Sequence, residues 1–209
     1  QLIRRHIKPQ ARHYFVDSYF NEYPDVDELE RHHSPEFGMT RLHMEARDDF
    51  PSLKNYIDYL LTSIPSNKIP ALQFNRIDLR LPWIKQHYPD AVLLHLYRSS
   101  RDQWVSTISD HSEDVDQHID ADPYRIASWS RDLCRQFPFL ATPFIRHAYQ
   151  RHYYLWKLSL LAGQRLADLS ISYEDLILQP RQTLRQLFHS AGLNTEKNIS
   201  RCLKIIKNR

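Results

Sequence analysis

The 209-residue sequence predicts an α/β fold with a parallel sheet flanked by helices, on three observations. In "AVLLHLYRSSRDQWVST" (residues 91–107), a short apolar run ends at an arginine and breaks into small hydroxyl residues. The run, residues 91–97, reads as a strand buried on both faces, and Ser99 or Ser100 reads as the N-cap of a following helix. Further on, "LADLSISY" supplies a second strand after a long helical stretch. Strand, helix and strand in that order give parallel pairing through a right-handed crossover.

The elements follow in order. "ARHYFVDSYFNEY" (11–23) has helical spacing of its aromatic residues, and "DVDELERHHSPEFGMT" (25–40) starts as a helix that stops near Pro35 and Gly38. "PSLKNYIDYLLTSI" (51–64) is an amphipathic helix with Leu53, Tyr56, Ile57, Leu60, Leu61 and Ile64 along one stripe. "ALQF" (71–74) reads as a short buried strand. "LPWIKQHYPD" reads as a helix with Pro82 in its first turn, stopped before Pro89. A helix over 100–109 follows the first strand, then an acidic loop over 110–122. Helices near 123–137 and 145–162 come next. "QPRQTLRQLFHSAGL" reads as a helix ending at Gly192, and "NTEKNISRCLKIIKNR" as the last one. No internal boundary stands out, so residues 1–209 read as a single, partial domain.

Composition narrows the function classes. Lys and Arg number 28 against 25 Asp and Glu, a net charge of +3 that is too even to argue for nucleic acid, although a pI near 8.8 suits an anionic ligand. No run of eighteen apolar residues marks a membrane span, and no apolar leader is visible. Cys134 and Cys202 form no framework, which favours a reducing, cytoplasmic setting. Only 3 glycines occur where average usage of about 7% would give roughly fifteen, so no glycine-rich phosphate loop is present. That scarcity, with a start at Gln1, suggests a chain that begins downstream of such a loop.

Arg98 falls at the carboxyl end of its strand, where open α/β sheets bind ligands, and a guanidinium grips phosphate with two parallel hydrogen bonds. Ser106, eight positions on, adds a hydroxyl from the helix flank. "LSISYEDLILQPRQTLRQLFHSAGL" (169–193) then gives a strand, Tyr-Glu-Asp-Leu, a proline and an amphipathic helix closed by Gly192 and Leu193. Together with "RLPWIKQHYPDAVLLHLYRSSRDQWVS", this resembles the sulfotransferase superfamily, which uses 3′-phosphoadenosine 5′-phosphosulfate (PAPS). The resemblance covers roughly residues 70–193. It implies a P-loop-type parallel sheet whose first strand and phosphate loop are absent from this chain. It also implies that Arg98 and Ser106 bind the donor's 3′-phosphate, with Tyr173 near the nucleotide. Ser100 stands where the family usually has proline, at little cost because serine also caps a helix.

The implied reaction is in-line attack of an acceptor hydroxyl or amine on sulfur, with no metal required. The acceptor would be a small molecule, a carbohydrate or a peptide; oligomeric state is not readable. Where several sulfotransferases place a catalytic histidine, this chain has Asn75 or Arg76. An arginine is a poor base, so Arg76 is expected to steady sulfonate or an anionic acceptor, with Arg80 on the same helical face. Candidate bases are His32, His33, Glu36, His43 and Glu45. The lysine-bearing phosphosulfate loop is missing, so these 209 residues alone are expected to be inactive. Two alternatives remain: a non-catalytic nucleotide-fold interaction module, and a P-loop nucleotide kinase fragment. Twelve histidines invite a metal reading, but there is no HExxH or Cys-x-x-Cys, and the acidic loop lacks the glycine and terminal glutamate of a calcium site.

Overall fold

The structure, a computed structural model, describes residues 28–75, 77–108, 126–193 and 196–206. The helix expected over 11–23, the acidic loop over 110–122 and Arg76 lie outside them. The chain is α/β: mostly helical, with one two-stranded parallel sheet among the described residues. Its contacts group into two units, residues 1–37 with 49–73, and residues 38–48 with 74–209.

In the first unit, α1 (Leu29–His32) leads into a 3₁₀ turn (Pro35–Gly38), and α2 spans Pro51–Thr62. Proline opens α2 where its missing N–H costs nothing. The apolar stripe buries Leu53, Ile57 and Leu60, each worth about 1.5–3 kcal/mol before entropy is charged. The helix ends as Ser63 turns its hydroxyl and its N–H back on Tyr59 O. "ALQF" forms no strand: Ala71, Gln73 and Phe74 are exposed, and among the described residues no strand lies alongside to share a ladder. A short apolar tetrapeptide carries no period that separates a strand from a covered loop.

The second unit holds the sheet. A 3₁₀ turn (Asp78–Arg80) runs into α3 (Leu81–His87), which buries Leu81, Trp83 and Ile84 and stops before Pro89. Strand β1 (Leu94–Tyr97) pairs in parallel with β2 (Leu169–Ser172), Leu94 opposite Leu169 and Tyr97 opposite Ser172. Asp168 pins the start of this register: its carboxylate accepts from Leu93 N at 2.7 Å, and its own N–H donates to Leu93 O at 2.9 Å. The crossover carries α4 (Ser100–Ile108), α5 (Ala127–Leu133) and α6 (Ala148–Leu166). Helix α6 packs on α3, α4, α5 and both strands. Leu42, Ile126, Leu133, Leu140 and Leu155 form a core beside it.

The strand is shorter than expected, and only one of its faces is buried. His95 points inward, 8% exposed, while Leu94 and Leu96 are 42% and 59% exposed. An unbroken apolar run lacks the alternation that would tell inside from outside. Gly163 of α6 explains the inward histidine, because a Cβ there would collide with the His95 ring. His95 Nδ1 lies 2.8 Å from Ser170 Oγ on β2, and Asp78 accepts from Ser159 Oγ nearby on α6. Burial holds His95 below its ordinary pKa against the pull of Asp78, and raises Asp78.

Beyond β2, Ser172 caps a short helix, α7 (Tyr173–Leu178), by accepting from Asp175 N at 2.9 Å. α8 (Pro180–Ser190) follows, and Gly192, with φ 64, takes the left-handed turn that ends it. Helix α9 (Glu196–Ile206) is tied to α8 by Glu196, which pairs with Arg181 and Arg185.

Candidate functional site

Because β1 and β2 end in register, Arg98 and Tyr173 are the first residues beyond the two strands and meet side by side. The Arg98 guanidinium carbon lies 5.3 Å from the centre of the Tyr173 ring, a cation–π placement. Arg98 is half-buried, and among the described residues no carboxylate pairs with its guanidinium. The corner therefore presents a permanent positive charge, braced on an aromatic face, with its five N–H donors unspent on that set of residues.

The main chain here is held more tightly than the side chain. Trp156 of α6 donates its indole N–H to Arg98 O at 2.8 Å. Ser99 N donates to a Glu174 carboxylate oxygen of α7 at 2.9 Å. These are the two polar atoms of one peptide group. The start of α4 is packed similarly: Ser99 Oγ is 3.5 Å from Asp102 N, and Ser100 Oγ is 3.3 Å from Tyr149 Oη. His152 Nε2 lies 3.2 Å from Ser100 O, so the ring carries its proton on that nitrogen. Burial lowers the His152 pKa, partly offset by this bond. His152 also packs against the Trp104 and Tyr149 rings. One amide at the mouth of α4 is thus already occupied by a carboxylate, and among the described residues the Arg98 guanidinium is engaged only with the Tyr173 ring.

Of the residues expected at a donor site, the structure brings Arg98 and Tyr173 together. Ser106 sits on the exposed flank of α4, roughly 9 Å along the axis from Ser100, and donates to Gln103 O at 2.9 Å. Arg76 lies outside the described residues. Arg80 turns out to be structural: it is 2% exposed, and its Nε and Nη2 donate to Arg41 O and Thr40 O at 2.8 and 2.7 Å. Of the candidate bases, His32 stacks on Tyr59 at 3.9 Å, and His33 packs against Tyr56 and Phe37, its pKa lowered by burial. Glu36 is exposed in the 3₁₀ turn, and those three belong to the first unit. His43 and Glu45 belong to the second, their Nε2 and Oε1 3.6 Å apart.

No family model, curated protein or solved structure matches the chain. Among the described residues no group of three or more His, Cys, Asp or Glu side chains is placed to hold a metal ion, and no helix is long and apolar enough to cross a membrane. Sequence reasoning missed Glu174 and Trp156. Glu174 follows Tyr173 directly, so the second strand's end already pointed to it. Trp156 was hidden in "RHYYLWKLSLLAG", an apolar helix in which one indole N–H leaves no pattern.

Proposed function

We propose that this chain carries the 3′-phosphate half of the donor site of a sulfotransferase. On this reading the fold is P-loop-type. The protein transfers a sulfuryl group from PAPS to a hydroxyl or amine of a small molecule, carbohydrate or peptide. The supporting observation is the meeting of Arg98 and Tyr173 at the carboxyl end of a parallel strand pair, with the guanidinium on the aromatic face.

The donor set suits one end of such a ligand. Arg98 supplies a fixed charge and a two-pronged donor for a phosphate; Tyr173 steadies the guanidinium; Ser106, on the helix flank, would turn its hydroxyl from Gln103 O to donate to the phosphate. The ligand, when bound, would supply the activated sulfuryl group. Its phosphosulfate end calls for a lysine-bearing loop, which no glycine-rich stretch of these 209 residues provides. Nucleotide binding without appreciable turnover is the expectation for them. His43, with a Glu45 carboxylate oxygen 3.6 Å from its Nε2, is a base candidate within the second unit.

Calorimetry with adenosine 3′,5′-bisphosphate and adenosine 5′-monophosphate tests this reading. The bisphosphate should bind more tightly, and Arg98→Ala should weaken it by roughly 1.5–3 kcal/mol while leaving the monophosphate unchanged. Ser106→Ala should cost less, about 0.5–1.5 kcal/mol. Equal affinity of wild type and Arg98→Ala for the bisphosphate removes Arg98 from the site and the assignment with it.

A further inference from the structure

The bonds at the end of β1 have a feature that the anion-site reading does not use. The peptide group linking Arg98 to Ser99 is grasped at both of its polar atoms by side chains from different elements. Trp156 of α6 donates to the carbonyl at 2.8 Å, and Glu174 of α7 accepts from the amide at 2.9 Å. Holding this peptide fixes the Arg98 backbone and with it the direction in which the side chain leaves, and the Tyr173 face then receives the guanidinium. Both holding groups are themselves placed. Glu174 is the second residue of α7, whose start is fixed by the Ser172 cap. Trp156 lies mid-way along α6, the helix that packs on both strands, and stacks on Tyr153 at 5.7 Å.

We infer that Glu174 and Trp156 are positioning residues for the anion-binding arginine: they lock the Arg98–Ser99 peptide so that the guanidinium is aimed before ligand arrives. The inference rests on the reading of Arg98 as a phosphate ligand and adds what orients it. Glu174 is an odd choice at an anion site, since its negative charge opposes the ligand. Its carboxylate is satisfied by the Ser99 amide at the mouth of α4, where the helix dipole favours a negative charge. One carboxylate oxygen is thereby engaged at that amide, and among the described residues no ion pair joins Glu174 to the Arg98 guanidinium. Pre-aiming the arginine saves the ordering cost that a mobile side chain would meet on binding.

The test measures the preference for adenosine 3′,5′-bisphosphate over adenosine 5′-monophosphate in wild type, Glu174→Ala, Glu174→Gln, Trp156→Phe, Arg98→Ala and the double variant Arg98→Ala/Glu174→Ala. Far-ultraviolet circular dichroism checks the fold of each. Glu174→Ala and Trp156→Phe should each reduce the preference about tenfold, whereas Glu174→Gln, whose amide oxygen still accepts from Ser99 N, should stay within about threefold of wild type. The double variant should be no worse than Arg98→Ala, because a residue acting only through Arg98 has nothing left to orient. A purely structural role would weaken both nucleotides alike and leave the preference intact. Retention of the wild-type preference in Trp156→Phe and in Glu174→Ala, while Arg98→Ala loses it, overturns the clamp and leaves the anion-site reading standing. A wild type with no preference for the bisphosphate overturns both.

Discussion

Arg80 and Arg98 are similar in sequence and opposite in use. Each closes a short run with apolar character, "RIDLR" and "LHLYR", and each is drawn inside the second unit. Arg80 is almost fully buried, and its guanidinium donates to two main-chain carbonyls of the loop at Thr40 and Arg41. Asp132 holds that loop from the other polarity, its carboxylate oxygens accepting from Arg41 N and Leu42 N at 2.9 and 2.8 Å. At Arg98 it is the main chain that is held, by Trp156 and Glu174, and the guanidinium meets an aromatic ring. The difference lies in where the polar bonds go. One arginine spends its charge on the fold; the other has its backbone fixed by the fold and its charge left over. Residue type and local pattern do not distinguish the two uses.

Stability should separate them most sharply. Arg80→Ala removes the donors to two carbonyls and opens space in a packed site, so unfolding free energy should fall by roughly 3 kcal/mol in urea titrations. Loop residue Arg41, with φ 53, is held in a left-handed conformation that this contact helps maintain. A loss under about 0.5 kcal/mol would mean that the carbonyls find other donors and that Arg80 is not a strut. Gly163→Ala comes next. Its new methyl group would collide with the His95 ring beneath β1, and overpacking of this kind costs about 1–3 kcal/mol. Adding His95→Ala to Gly163→Ala should recover part of that loss; two additive losses would show that the glycine matters for another reason.

Much of the scaffold around these arginines was legible. Pro82 and Pro89 bracket α3, Gly192 ends α8 with the positive φ that favours glycine, and the two strands fall where the apolar runs predicted. Arg98 and Tyr173 were named together through the family resemblance, and the parallel register then carries the end of one strand to the end of the other. The faces of β1 were not legible, since an unbroken apolar run has no alternation and the burial of His95 depends on a glycine 68 positions away on another element. Nor was the role of Arg80, whose carbonyl partners lie about forty residues upstream. Long-range polar contacts of this kind leave no periodic trace in a sequence.

Arg98→Ala sharpens the same comparison from the other side. Loss of its contact with Tyr173 should cost the fold only about 0.5–1 kcal/mol, the usual worth of a partly exposed cation–π pair. Its binding defect should therefore appear in a protein that unfolds almost as wild type does. A destabilisation approaching that of Arg80→Ala would mark Arg98 as a second strut, and the contrast between the two residues would disappear.

The pH dependence of stability near neutrality should come from the buried histidines. Burial lowers the pKa of His152, which sits beneath the start of α4, from its ordinary 6.5. The unfolded chain then binds the proton more readily than the folded one. The His152 contribution is present in full above pH 6.5 and is lost as pH falls from there through the lower folded value. His95 acts in the same direction, while Asp78, raised by burial, acts in the opposite one, its contribution being lost as pH rises through its folded value. Thermal unfolding midpoints measured from pH 7.5 down to 5.5 should therefore decline, and His152→Gln, which can still donate to Ser100 O, should make the decline shallower. An identical slope in wild type and His152→Gln would show that the proton uptake lies elsewhere, with His95 and His33 then the groups to replace.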